Sequence, residues 1–593
     1  MRVSDYIAEK LVEFGIRQVF CVTGGGAMHL NDSLANHPQL NTVFNHHEQA
    51  CAIAAEGYFR ASGKIACVNV TTGPGGLNTL TGVMGQWTDS IPVIYISGQV
   101  KFETTVGAYR DLSIRQVGDQ EVDIVSIVRP LVKYAVQLRN ADDVRFELEK
   151  AFSIATTGRM GPVWLDVPMN IQGAIFEESR QRAYVAEART KPDLRFAETA
   201  AEKLRTARSP LVVAGHGIRL SGGGIQALTS LLSEFPAPVV TTFNGFDLIP
   251  ENHPLYVGRI GTLGSRAGNF ALQNADVILF LGTRNNIRQV SYNWSDFAKR
   301  AFKIVVDIDQ EELKKPTLVP ELPVLADVAE FCSVLKDSLK GKARSNISSW
   351  LDWCIERRKR YPTVLQDYYY TRTDGIHPYS FMKRLSNLLP QNTTVVAGNG
   401  TACVALFQAG EVSKGSRYFW NSGCASMGYD FPAALGAAVA LRDRPVVCIA
   451  GDGSIQMNIQ ELATVSYLRL PIKVFYLNND GYSSIKQTQD SFFGRRAGCD
   501  PASGVGMPEI KRVAQAYGLS YSCINCEDDV KRTIECAMKE NGPSLIEVML
   551  TKDYIFAPKL SSERLPDGRM VSKPLEDMYP FLPKAEVEAN VFV

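Results

Sequence analysis

Apolar residues fall along this chain in short unbroken runs, separated by stretches where they recur every three to four positions. IACVNV (65–70), PVIYIS (92–97), PLVVAG (210–215), VILFLG (277–282), KIVVDID (303–309) and KVFYLNN (473–479) are continuous rather than alternating. That is the pattern of strands buried on both faces of parallel sheets covered by helices. The runs gather into three blocks. The first extends to about residue 170, the second from Leu194 to Leu339, and the third from Ile376 to Leu550. A polar segment (172–193) and a charged stretch through Arg360 read as connections, and a tail rich in proline and charge closes the chain. The expected fold is α/β, with three doubly wound parallel-sheet domains over 1–172, 190–340 and 370–555 and a tail over 556–593. The opening MRVSDYIAEKLVEFGIRQVF is amphipathic with acidic residues throughout, a helix rather than a leader peptide.

One echo links the outer blocks. AIAAEGYFRASGKIACVNVTTGPGG (52–76) and PAALGAAVALRDRPVVCIAGDGS (432–454) share an order: Ala-rich helix, turn, buried strand, Gly-rich turn. Both Gly-rich turns then fall at carboxyl ends of strands, where open α/β sheets bind ligands.

Composition narrows the partners. The 593 residues carry 63 Lys and Arg against 62 Asp and Glu, a net charge of +1, so no basic excess points to nucleic acid or an anionic membrane. No run approaches the roughly 18 apolar residues of a membrane span. The 12 cysteines are scattered apart from Cys523 and Cys526, which have no second ligand pair for zinc. A reducing cytoplasm is the expected setting.

The candidate chemistry sits at the Gly-rich turns. Gly451, Asp452, Gly453 and Ser454 follow the strand VVCIA and precede helical sequence. Glycines admit a phosphate close to the backbone, and an aspartate is a hard oxygen ligand for Mg²⁺. An isolated GDG is more often a tight turn with an Asp N-cap. After 24 intervening residues, however, the next strand ends in Asn478-Asn479, so a strand-helix-strand unit brings Asn479 beside Asp452. The carbonyl of Gly481 would complete the protein's share of an octahedral site. In the first block His46-His47-Glu48-Gln49 opens the Ala-rich helix, where Glu48 would ordinarily be a helix-start carboxylate. Thr71-Thr72-Gly73-Pro74-Gly75-Gly76-Leu77-Asn78 follows the next strand.

GDG, this spacer and NN resemble the signature of thiamine-diphosphate enzymes. HEQ…AAEGY…TTGPGG…N, with GQV (98–100), Gln120-Glu121 and Asp123-Ile124, resembles the acetolactate synthase branch, over nearly the whole chain. The resemblance implies thiamine diphosphate and Mg²⁺ as cofactors, with Asp452, Asn479 and Gly481 as metal ligands. It implies cofactor contacts from Gly25, Thr72, Asn78, Gly398, Asn399, Gly400, Ser426, Met427, Gly451, Gly453, Ser454 and Tyr482. Met427 would prop the bent cofactor, although a lone methionine is more often core. Glu48 would hydrogen-bond the aminopyrimidine from an apolar pocket that favours sharing a proton with the ring. Gln120 would touch cofactor or intermediate, and His47 or His29 would handle protons unless both are packed loop residues.

The middle block resembles the part of that branch that binds FAD. Gly282-Thr283-Arg284-Asn285-Asn286-Ile287-Arg288 fits its G-x-R-x-D-x-R pattern with Asn286 in place of the acid, and Gly215, Thr242, Asp307 and Asp327 fall at other flavin positions. Two arginines can clamp a diphosphate and a strand-end acid can hold a ribose, though many relatives keep this domain empty.

The acceptor pocket departs from the branch. Asp119 replaces an aromatic residue, and Ser484-Ile485-Lys486-Gln487-Thr488 replaces Met-x-Met-x-Trp. With the tail, Asp119, Lys486 and Thr488 suggest an acceptor bearing hydroxyls or phosphates, a nucleotide-linked keto-sugar. The alternatives are acetolactate synthesis from pyruvate and a 2-ketoacid, simple decarboxylation, and a non-catalytic binding subunit. The resemblance implies a homodimer or tetramer with each active site shared between subunits.

Overall fold

The structure, a computed structural model, describes the chain apart from residues 110, 176, 179–180, 187–194, 371–373, 553, 565–566 and 568. The later part of the polar segment expected over 172–193 therefore lies outside the described residues. Three six-stranded parallel sheets account for the apolar runs. The first contains β1 (Gln18–Cys21), β2 (Asn41–Phe44), β3 (Cys67–Val70), β4 (Ile94–Gln99), β5 (Tyr134–Gln137) and β6 (Val163–Pro168), in the order β2-β1-β3-β4-β6-β5. The second contains β7 (Pro210–Ala214), β8 (Val239–Thr241), β9 (Tyr256–Arg259), β10 (Val277–Leu281), β11 (Phe302–Asp307) and β12 (Leu322–Leu325), in the order β9-β8-β7-β10-β11-β12. Counted from its own first strand this is 3-2-1-4-5-6, the order of dinucleotide-binding sheets.

The third sheet contains β13 (Thr394–Ala397), β14 (Arg417–Phe419), β15 (Val446–Gly451), β16 (Ile472–Asn478), β17 (Ser520–Ile524) and β18 (Ser544–Met549). Its order, β14-β13-β15-β16-β18-β17, repeats the first sheet position for position, so the echo between the outer blocks is a shared topology. Strands such as β3, β4, β7, β10 and β13 are buried along their whole length, because helices cover both faces.

The outer domains meet through two helices, Glu48–Ser62 and Asp430–Leu441, that are buried nearly all round. Their Ala- and Gly-rich sequences permit this, since a wider helix would hold the backbones apart. A Cβ on Gly57 would lie 2.1 Å from the Ala433 carbonyl oxygen, and one on Gly436 would lie 1.9 Å from that of Ala54. One continuous apolar core consequently runs from Phe20 and Val68 through this crossing to Val446 and Val474.

The charged stretch before the third domain is a helix, Ser348–Arg360, rather than an extended connection. Trp350 and Cys354 form its narrow buried stripe against the second sheet, and the Trp350 indole donates to the Pro210 carbonyl at 2.8 Å. The tail returns over the same domain: Phe592 packs on Trp350 and Trp353, and Met578 is fully buried. All 12 cysteines are free. Among the described residues no helix is long and apolar enough to cross a membrane.

Candidate functional site

The carboxyl ends of β13, β15 and β16 bring together the third-domain residues singled out above. Asp452 is 2 % exposed. Its Oδ2 accepts the backbone N–H groups of Asn479 and Gly481, both at 2.9 Å, and Oδ1 accepts that of Gly453 at 2.9 Å. Burial pushes its carboxyl up to about 6, against the opposing pull of those three N–H donors and of the Lys486 ammonium. Asn479 Oδ1 accepts from the Tyr554 hydroxyl at 2.9 Å, and its amide donates to Leu477 O. Gly453 is required by close approach: a Cβ there would lie 1.9 Å from the Tyr482 ring.

Neighbouring loops are tied to this turn. Gly428 N donates to Ser454 Oγ at 2.9 Å, Asn421 Nδ2 to Ser426 Oγ at 3.1 Å, and Asn399 Nδ2 to Ala425 O at 3.1 Å. Gly398, Asn399 and Gly400 therefore share one sheet edge with Ser426 and Met427. Asp430 adds a buried carboxyl, also raised to about 6 by burial against the opposing hydrogen bond of Ser454.

Among the described residues no group of three or more His, Cys, Asp or Glu side chains forms a metal site. A cation at this turn depends instead on one carboxylate, one amide oxygen and backbone carbonyls. Of the roughly four acceptor positions of the Asp452 carboxylate, the three N–H donors leave about one open, and such a hard oxygen suits Mg²⁺ with phosphate and water as its other ligands.

In the first domain Glu48 is half-buried at the start of its helix, and Asn78 Nδ2 donates to Glu48 Oε2 at 3.0 Å. Thr72 is buried with its hydroxyl on Gly98 O, while the Thr71 hydroxyl is buried and, among the described residues, without a partner. Gly25 is exposed in the turn after β1. Gln120 lies on an exposed loop at φ 60°, its carbonyl packed over Gly73. His47 caps the Glu48 helix, its Nδ1 accepting Gln49 N–H at 3.1 Å.

The departures from the acetolactate synthase pattern are only partly turned to solvent. Asp119 is exposed. Lys486 donates to the backbone carbonyls of Asn479 (3.0 Å) and Asp480 (2.6 Å), and the exposed Thr488 hydroxyl donates to Ser484 O one helical turn back.

A cavity of about 660 Å³ opens at the carboxyl ends of the second sheet. Thr242, Gly282, Arg284, Arg288, Asp307 and Asp327 line it, and Gly215 packs directly on Gly282. Burial raises the Asp307 carboxyl to about 6. Asp327 accepts from the Ser221 hydroxyl at 2.6 Å and caps the helix Val328–Leu339. Arg284 reaches across to the first domain, where it pairs at 2.8 Å with Asp89, itself bound to Arg60 at 2.7 Å. His216, buried among arginines and held well below its usual range by that burial, also lines the cavity.

Residues that periodicity had assigned simply to helix or core thus hold the sites together. Glu461, wholly buried, accepts from Asn45 Nδ2 (2.9 Å), His46 N (2.9 Å) and His47 N (3.1 Å). Asn458 Nδ2 donates to Gln49 Oε1 and to Gly428 O, both at 2.8 Å. The only advance signal was their acid and amide character within the apolar helical sequence after Asp452.

Family comparisons agree with this geometry. Residues 1–127 match the N-terminal TPP binding domain of thiamine pyrophosphate enzymes, 197–335 the central domain, and 398–548 the C-terminal TPP binding domain. The chain belongs to the thiamine pyrophosphate (thiamine diphosphate) enzyme family and is a thiamine-diphosphate-dependent enzyme of acetolactate synthase-like type. It is 30% identical over 565 residues to the acetolactate synthase large subunit of Lactococcus lactis, covering 94% of each chain. To the isozyme 1 large subunit of Escherichia coli it is 30% identical over 559 residues, 94% of this chain and 95% of the relative. To the isozyme 3 large subunit of that organism it is 31% identical over 527 residues, 87% and 88%.

Proposed function

We propose that this chain uses thiamine diphosphate and Mg²⁺ to decarboxylate pyruvate and transfer the resulting two-carbon unit to a carbonyl acceptor. The observation that carries the reading is the buried Asp452 carboxylate, tied to the backbone of Asn479 and Gly481 at the ends of adjacent strands. When bound, thiamine diphosphate supplies the nucleophilic carbon and the electron sink that decarboxylation requires. The chain's own residues bind and orient. Asp452, Asn479 Oδ1 and the Gly481 carbonyl hold the metal, while Gly398–Gly400 and the backbone of Gly451–Ser454 receive the diphosphate. Met427 and Tyr482 shape the cleft, and Thr72 and Gly25 border it from the first domain. Glu48, steadied by Asn78, presents its carboxyl to the pyrimidine as a hydrogen-bond partner. Gln120 reaches the substrate from its exposed loop. His47 serves as a helix cap that keeps Glu48 in place.

The central cavity suits FAD, with Arg284 and Arg288 toward the diphosphate and Asp307 toward a ribose. In a carboligation without net redox change such a flavin would be structural. We read the domains as 1–172, 190–340 and 370–555, with the tail over 556–593, and the functional unit as a homodimer or tetramer whose sites combine the first domain of one subunit with the third of another.

For the acceptor, a second 2-ketoacid is the reading we adopt. It accords with the related acetolactate synthases, and Lys486 and Thr488 already have backbone carbonyl partners. One observation favours a second reading, a nucleotide-linked keto-sugar: the exposed Asp119 stands beside Gln120 where related enzymes are aromatic. Turnover of pyruvate with and without a nucleotide keto-sugar tests both. Acetolactate formation without sugar is expected, whereas a sugar adduct with no acetolactate reverses the acceptor. Failure to release CO₂ from any of a panel of 2-ketoacids overturns the function itself.

A further inference from the structure

We infer that Glu461 of the third domain is a positioning residue for Glu48. The inference rests on the reading of Glu48 as the cofactor-activating carboxylate and adds the device that holds it. Glu48 is the first residue of its helix, so its carboxyl goes wherever the backbone of 45–49 is fixed. Within its own domain this segment is anchored by Asn45 N on Cys21 O at 2.9 Å and by Asn78 on the Glu48 side chain.

The third domain supplies the remaining hold from both sides. Glu461 Oε1 accepts two consecutive backbone N–H groups, those of His46 and His47, and Oε2 accepts Asn45 Nδ2 and the Thr464 hydroxyl at 2.8 Å. Four donors fill the acceptor positions of one carboxylate. The Glu461 side chain is wholly buried, where hydrogen bonds are electrostatically stronger than in water. On the other side of Glu48, Asn458 grips Gln49 and, through the same amide, the carbonyl of Gly428 beside Met427. Residues 45, 46, 47 and 49 are thus held by the segment that follows Asp452, leaving the side chain of 48 to face the cofactor.

A glutamine at 461 would keep one acceptor oxygen for His46 and His47. Its other end would present N–H groups to the Asn45 amide, so Glu461→Gln removes half of the clamp. Asn45→Ala removes the bond from the first domain to Oε2, leaving that of Thr464, and serves where the Glu461 variant does not fold. The measurements are the rate at which bound thiamine diphosphate exchanges its C2 proton with deuterated solvent, kcat and KM for pyruvate, and cofactor affinity from intrinsic fluorescence in excess Mg²⁺. Each variant should slow exchange and lower kcat by about 10- to 100-fold, the upper figure being the cost of a 1 Å misplacement. KM and cofactor affinity should stay within about twofold, and neither variant should slow exchange further in a Glu48→Gln background, because groups acting as one unit are not additive. Normal exchange in Glu48→Gln would remove the role of Glu48 itself. If Glu48→Gln abolishes exchange while Glu461→Gln and Asn45→Ala leave it at the wild-type rate, the positioning role falls. It falls equally if their effects add to that of Glu48→Gln or follow a loss of cofactor affinity.

Discussion

Asp452 Oδ2 and the backbone N–H of Asn479 are joined at 2.9 Å across neighbouring strands, so the side chain proposed to bind the metal also shapes the turn that carries the other ligands. Asp452→Ala should weaken cofactor binding in Mg²⁺ by about 10- to 100-fold, the equivalent of about 1.5–3 kcal/mol for hydrogen bonds to a charged acceptor. Calorimetric titration with thiamine diphosphate measures this, and unchanged far-ultraviolet dichroism would show that the sheet survives.

If each active site takes Glu48 from one subunit and Asp452 from another, two inactive variants should complement. Co-assembled Glu48→Gln and Asp452→Ala chains, purified by separate tags, should regain activity at about one site of two in each mixed dimer. Absence of any recovery in verified mixed dimers would argue for sites built within one chain.

The crossing of the two buried helices leaves no room for a methyl group, because the obstructing atoms are backbone carbonyls. Gly436→Ala should cost about 1–3 kcal/mol, as overpacking does. Denaturant unfolding should show a lower first midpoint. An unchanged midpoint would mean that the helices can slide apart freely.

Asp166 makes stability depend on pH. Its buried carboxyl accepts hydrogen bonds from Ser97, Gln137 and Gln99, and burial raises it from 3.8 to about 6. Between pH of about 4 and 6 the unfolded chain gives up this proton while the folded chain keeps it, so the Asp166 contribution to stability falls as pH rises and then levels off. The total is about 3 kcal/mol at 1.36 kcal/mol per unit. Asp166→Asn lacks this loss, so its stability relative to wild type should improve by about that amount from pH 4 to pH 7, read from paired denaturation curves. A constant difference across that range would contradict the assignment.

The three sheets were legible because continuous runs such as VILFLG have one physical solution, burial between helices. The meeting of Asp452 and Asn479 was legible because GDG and NN lie one strand-helix-strand unit apart, a spacing that parallel topology converts into adjacency. Thr242, Gly282, Arg284, Arg288, Asp307 and Asp327, which only a resemblance singles out in the sequence, are brought to one cavity by the strand order of the second sheet. By contrast, the helix Ser348–Arg360 was read as a connection, because two buried side chains among charges make too weak a stripe to register.

What the sequence alone determined, then, was local: which segments become strands and helices, and which turns at strand ends carry acids, amides and glycines. Tertiary structure decided how the pieces engage. It turned Lys486 onto the carbonyls of Asn479 and Asp480, ran Arg284 across to Asp89, and set Glu461 under the backbone before Glu48 across more than 400 residues of sequence. Periodicity encodes which face of an element is buried. It does not encode which distant donor will meet a buried carboxylate, because that follows from the docking of whole domains at the Gly57–Gly436 crossing.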